Sequence, residues 1–133
     1  MVATSTATKK AKGRKFQQEI RDIIIESFDV LEPDDVLSTS MGAGGTDIKL
    51  SPLAKRCFPF STECKAQETV SLYTWWEQTN SNILPNTKPL LVIKKSRVKP
   101  IAVLNFNDFM DLIKENYKLK NMLNINSREG IEK

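Results

Sequence analysis

GTDIKLSPLAKRCFPFSTECKAQ, residues 45–67, holds two short strands and the approach to a helix. Phe60-Ser61-Thr62-Glu63-Cys64-Lys65 alternates with period two, the pattern of a strand with one face buried. Successive side chains leave a strand from opposite faces, so Phe60, Thr62 and Cys64 share one face and Ser61, Glu63 and Lys65 share the other. Phe60 and Cys64 suit a core. Thr46-Asp47-Ile48-Lys49-Leu50 reads as a second strand, and pairing the two brings Asp47 to the face of Glu63. Two carboxylates converging on a lysine make a poor solvated surface and a good seat for a hard divalent cation. Mg²⁺ takes one or two carboxylates together with water and phosphate oxygens, and Mn²⁺ is expected to substitute for it. The lysine is then placed to orient or deprotonate a water, or to stabilise charge on the phosphorus centre.

Upstream, Met41-Gly42-Ala43-Gly44-Gly45 is a glycine-rich turn, and Asp34–Ser40 enters it as a first strand, which predicts a hairpin. From Gly13 to Phe28 the residues Phe16, Ile20, Ile23, Ile24 and Phe28 form one helical stripe. Glu19 lies beside Ile23 at the border of that stripe, where a side chain leaning over the sheet would add a third carboxylate to Asp47 and Glu63. Glu26 follows seven residues later. Downstream, residues 51–59 form a connection with room for a helical turn, and 68–78 form a helix carrying Trp75 and Trp76. Leu90–Ile93 is a strand apolar on both faces and hence central, and Ile101–Leu104 is a fifth strand. Asn107 caps a last helix whose Phe109, Met110, Leu112 and Ile113 face inward. The order α-β-β-β-α-β-β-α gives an α/β fold around one central mixed five-stranded sheet. Residues 1–12 are expected as a disordered basic arm, 13–120 as the domain and 121–133 as a polar tail.

At 133 residues the chain has room for one domain. It has no histidine, which excludes Ser-His or Cys-His catalysis and His-ligated zinc. Cys57 and Cys64 are too few for a zinc site or a disulfide scaffold and read as reduced thiols. No apolar run approaches the ~20 residues that span a bilayer, and no secretory signal is visible, so a cytoplasmic location is expected. The net charge of +4 is unevenly placed. Lys9, Lys10, Lys12, Arg14 and Lys15 stand in the first fifteen residues with no acid, and Lys88, Lys94, Lys95, Arg97 and Lys99 form a second cluster with no acid between Gln78 and Asn107. Two basic clusters on a near-neutral body point to a polyanion such as nucleic acid.

Asp47 followed by Glu63-Cys64-Lys65 resembles the PD-(D/E)xK nuclease motif, an acid on one strand and ExK on the next, with a glycine turn before the acid and a helix after the ExK. The stretch from Lys12 to Ile113 is similar to the archaeal-type Holliday junction resolvases and their phage relatives. Lys12-Gly13 and Glu19 match their KG…E opening, Ser38–Gly45 their hairpin, and Lys94, Lys95 and Arg97 their basic strand end. Thr46 stands before Asp47 where the motif has Pro, and SPLAKRCFP lengthens the gap to Glu63. The resemblance implies a restriction-endonuclease-like fold and a homodimer that cuts branched double-stranded DNA, with a role in recombination or repair and, for a phage protein, in the host-cell cytoplasm. It implies Asp47, Glu63, the Cys64 carbonyl and Glu19 as metal ligands and Lys65 as the catalytic lysine. Gln67, in an ExKxQ spacing, and a loop serine, Ser38 or Ser40, would support the site. Lys9, Lys10, Lys12, Arg14, Lys15, Lys94, Lys95 and Arg97 would contact phosphates. No membrane and no small-molecule cofactor are expected.

The function expected is thus a Mg²⁺-dependent, structure-selective endonuclease, a Holliday junction resolvase. The alternatives are a restriction- or repair-type nuclease of the same fold and a DNA-binding module without catalysis.

Overall fold

The computed structural model describes residues 6–39 and 45–126. Helix α1 spans Thr6–Ser27, and a 3₁₀ turn at Pro33–Asp35 leads into β1, Val36–Ser38. β2 is Ile48–Leu50, α2 Pro52–Cys57, β3 Phe60–Ala66 and α3 Leu72–Ser81. β4 is Lys88–Lys94, β5 Ile101–Val103 and α4 Phe106–Asn126. The chain divides into two compact units after Val103. The first holds α1 to β5. The second holds α4, a helix that begins one residue before the expected cap at Asn107 and continues six residues past Lys120. Among the described residues no helix is long and apolar enough to cross a membrane.

α1 begins well before Gly13, so residues 6–12 are helical and the basic residues expected on a disordered arm ride on α1. Ala7, Lys9, Lys10, Ala11 and Lys12 are strong helix formers and extend the helix upstream. Phe16, Ile20 and Ile24 are buried as the periodicity predicts, whereas Ile23 is 54% exposed. The apolar stripe is therefore narrower than the sequence pattern, and the Glu19–Ile23 border faces outward. Gln17, a polar residue, completes the buried face at 3% exposure.

Among the described residues the strands form two sheets and not one of five. β1 and β2 make an antiparallel hairpin in the register Val36↔Leu50 and Ser38↔Ile48. β3, β4 and β5 make a second sheet with β4 in the middle, parallel to β3 and antiparallel to β5. The central place of β4 follows from its apolar run: Leu90, Leu91 and Val92 are buried on both faces. The physical reason for the split lies at Asp47. Its backbone N–H donates to the Thr62 carbonyl (3.2 Å). The next free donor on that edge of β3, the Cys64 N–H, is taken by the Asp47 carboxylate at 2.8 Å. A side chain thus stands where a ladder bond would have continued β2 onto β3.

One capping serine ties the surroundings together. Ser51 caps α2 by accepting from the Ala54 N–H at 3.0 Å and donates to the Asp35 carboxylate at 2.7 Å. The Ser51 hydrogen bond, helped by the Glu32 backbone N–H, holds Asp35 below the usual carboxylate range. α3 starts at Leu72 and not at residue 68, because Glu68 turns away to another segment. Trp75 of α3 is buried at 6%, and its neighbour Trp76 is only half-buried.

Candidate active site

Asp47 is immobilised through its backbone before its side chain does anything. Thr39 N–H donates to its carbonyl at 2.9 Å, closing the hairpin, and Thr46 Oγ1 donates to the Thr62 carbonyl at 2.9 Å alongside the Asp47 N–H. Gly45, two residues earlier, has φ +94°, a conformation L side chains avoid. The rest of the glycine turn and Ser40 lie outside the described residues. With Oδ2 bound to the Cys64 N–H, Oδ1 is the oxygen Asp47 can offer elsewhere. Burial raises the Asp47 pKa, with the Cys64 hydrogen bond and Lys65 acting against it.

Glu63 and Lys65 leave β3 from one face, as the alternation predicts. Glu63 Oε2 lies 3.9 Å from Lys65 Nζ, with the side chains only 12% and 22% exposed. Glu63 Oε1 is buried and has no hydrogen-bond partner among the described residues. Burial, with the Asp47 charge adding to it, pushes the Glu63 pKa up to about 7 against the pull of Lys65. The Lys65 ammonium also lies 6.0 Å from the ring centre of Trp75, at the limit of a cation–π contact. Burial and then the two carboxylates raise the Cys64 thiol pKa, which keeps it a neutral packing group. Alternate residues of a strand send N–H and carbonyl to the same edge. The Cys64 carbonyl therefore emerges on the Asp47 side of β3.

A buried carboxylate oxygen without a donor, next to a second carboxylate, is costly as it stands. A hard cation with oxygen ligands relieves that cost, so the residues present fit a divalent metal. Asp47 Oδ1, Glu63 Oε1 and the Cys64 carbonyl are the oxygens that would hold it.

Glu19 does not join this pair. It is exposed on α1, where it lines a cavity of about 260 Å³ with Lys94, Lys95 and Arg97. Among the described residues no three side chains of acids, cysteines or histidines are placed together to hold a metal ion. The cause is the outward Glu19–Ile23 border. Two α1 side chains do reach the hairpin: Gln17 Oε1 accepts from Ser38 Oγ at 3.2 Å, and Arg21 Nε donates to the Val36 carbonyl at 2.8 Å. The signal for Gln17 in the sequence was a polar residue next to Phe16 on the inward stripe. Gln67 lies just past β3 with an exposed side chain, and its N–H donates to the Lys94 carbonyl at 3.1 Å. Of the eight basic residues singled out, Lys12, Lys15, Lys94, Lys95 and Arg97 line the Glu19 cavity. Lys9, Lys10 and Arg14 are exposed along α1.

No curated protein matches the chain, and no solved structure matches it. The model of a family described as "Phage putative PDDEXK endonuclease" matches residues 8–132. That match runs almost end to end and takes in Asp47, just before β2, and the strand that carries Glu63 and Lys65. The chain belongs to this family of phage PDDEXK endonucleases, within the PD-(D/E)xK nuclease superfamily.

Proposed function

We propose that this endonuclease cuts branched DNA, four-way junctions above all, in a divalent-cation-dependent hydrolysis at Asp47, Glu63 and Lys65. The observation that carries the reading is Glu63: its buried Oε1 has no hydrogen-bond partner among the described residues and stands beside Asp47, and its Oε2 lies 3.9 Å from Lys65 Nζ. Family membership supports a restriction-endonuclease-like arrangement around that site, here with the strands shared between two sheets.

Asp47 Oδ1, Glu63 Oε1 and the Cys64 carbonyl would hold Mg²⁺, which when bound supplies positive charge against the phosphate oxygens. Asp47 also fixes the strand edge, since its second oxygen is tied to the Cys64 N–H. Lys65 holds the attacking water and donates to the phosphate oxygens on which charge builds. The water oxygen forms a bond to phosphorus and releases a proton to solvent, while the P–O bond to the leaving sugar oxygen breaks on the opposite side and that oxygen takes up a proton from solvent water. The low exposure of Glu63 and Lys65 keeps these charges strong. Glu19 is left out of the metal set. The basic cavity and α1 supply phosphate contacts that carry little sequence information, which suits recognition by DNA shape. Symmetric nicking of a junction requires two sites, so this reading carries a homodimer with it.

The test is cleavage of a labelled four-way junction and a matched linear duplex with Mg²⁺ or Mn²⁺, beside Glu63→Ala. Paired nicks in the junction alone, lost in the variant, are expected. Equal cutting of both substrates overturns junction selectivity and keeps the nuclease. Tight binding with no cutting in either metal overturns the catalytic assignment.

A further inference from the structure

β3 and β4 are parallel, so their carboxyl ends lie together, Ala66 opposite Lys94. Each strand runs directly into a short loop there, and the two loops are joined by Glu68. Glu68 Oε2 accepts from the Ser96 backbone N–H at 2.8 Å, from Ser96 Oγ at 2.8 Å and from Lys12 Nζ at 3.5 Å. Lys12 also donates to Ser96 Oγ at 3.3 Å. The turn that presents Ser96 is closed by the Val98 N–H on the Lys95 carbonyl at 3.2 Å, with Arg97 at φ +64°. A backbone N–H, a hydroxyl and an ammonium converging on one oxygen make up the donor set of a phosphate site. The crevice at the carboxyl ends of parallel strands is also where open α/β sheets bind ligands. The cavity beside it is lined by five cations against two acids, Glu19 and Glu68.

We propose that Lys12 and the Lys95–Val98 turn form a binding site for a backbone phosphate of DNA, and that Glu68 fills this site as an internal stand-in until a phosphate displaces it. The inference rests on the DNA-endonuclease reading and adds to it a named subsite and its built-in competitor. Glu68 is five residues from Glu63, at most about 17 Å of extended chain. That is within about five base steps at 3.4 Å per step, so one DNA segment can touch both. The Glu68–Lys12 pair is exposed, 40% at Lys12 and 56% at Glu68. Exposed pairs are weak, so displacement is easy and the competition is graded.

The experiment measures binding of a fluorescent linear duplex without divalent cation, so that it does not depend on cleavage. Glu68→Gln keeps an acceptor for the Ser96 N–H and loses the charge. Its expected effect is tighter binding by about two- to fivefold, the range an exposed ion pair spans. Glu77→Gln, an exposed acid on α3 outside this cavity, serves as the control for simple charge removal. Lys12→Gln is then combined with Glu68→Gln. Lys12→Gln weakens binding more in the Glu68→Gln background than in the parent, because there the ammonium is no longer engaged by the stand-in. Equal tightening by Glu68→Gln and Glu77→Gln overturns the proposal. So does a Lys12→Gln effect that is the same in both backgrounds. Neither result touches the nuclease reading, which stands or falls on cleavage at Asp47 and Glu63.

Discussion

Glu63 lies in the middle of β3 and Glu68 two residues past its end, and their surroundings drive them in opposite directions. Glu68 is exposed and meets the Ser96 N–H, the Ser96 hydroxyl and Lys12, and the Ser96 hydrogen bonds above all hold its pKa below the usual range. Glu63 is buried, has one oxygen without a donor, and its pKa is pushed up to about 7. One carboxylate has its demand for positive charge met within the chain; the other leaves that demand open. The difference teaches where an external cation is wanted and where an external anion would have to compete. It also bears on stability, since a partnerless buried carboxylate works against the fold while a well-bonded exposed one is close to neutral.

The largest effect expected is on cleavage. Asp47→Ala or Glu63→Ala should lower the cleavage rate by about a thousandfold or more, the scale of losing a group that stabilises developing charge, whereas Glu68→Gln should leave Mg²⁺-saturated cleavage at high DNA concentration unchanged. Single-turnover kinetics on one substrate checks both. A Glu63→Ala enzyme that retains a tenth of the parent rate would break the contrast.

The next effect is on pH-dependent stability. Glu63 has a folded pKa raised from 4.5 to about 7, so the unfolded chain releases its proton first. Stability of the metal-free protein is unaffected below about pH 4.5, falls as pH rises towards 7, and is lowest above it. The shift corresponds to roughly 3 kcal/mol, at 1.36 kcal/mol per unit. Denaturant melts between pH 5 and 8 should show this loss in the parent and a flatter profile in Glu63→Gln. Burial raises the Asp47 pKa too, so its contribution to stability has the same sign. A parent profile that rises over this window would contradict the burial account.

Smaller again is Gly45→Ala. A Cβ there meets nothing within 4 Å, so the cost is backbone strain at φ +94° alone, about 1 kcal/mol. Equilibrium unfolding measures it, and a neutral result would mean the turn relaxes without disturbing Asp47. The smallest effect is on stability in Glu68→Gln, which should unfold at the same denaturant concentration as the parent, since exposed ion pairs contribute little.

Much of this contrast was legible in the sequence. The alternation over Phe60–Lys65 placed Glu63 and Lys65 on one face, and the apolar run of β4 placed it in the centre of its sheet. The acid on the preceding strand was legible too, since a glycine turn marked where the hairpin returned. What was not legible depended on single hydrogen bonds. Nothing in the residue pattern says that the Asp47 side chain takes the Cys64 N–H and so interrupts the sheet between β2 and β3. The outward side of Glu19 was not legible, because periodicity locates a stripe to within one helical position, and that one position decides whether a border residue leans in or out. Gln17 was passed over because a polar residue on an apolar stripe looks like an interruption until its partner, Ser38, is seen. The upstream extension of α1 was missed because a run of lysines reads as solvated chain, although Ala and Lys favour helix.

Titration of the metal-free protein with Mn²⁺ by calorimetry tests, without any DNA, whether Asp47 and Glu63 form the cation site of this endonuclease. The account predicts saturable binding at pH 7.5 that is abolished by Glu63→Gln and retained in Glu68→Gln. Mn²⁺ binding of undiminished affinity in Glu63→Gln would contradict it.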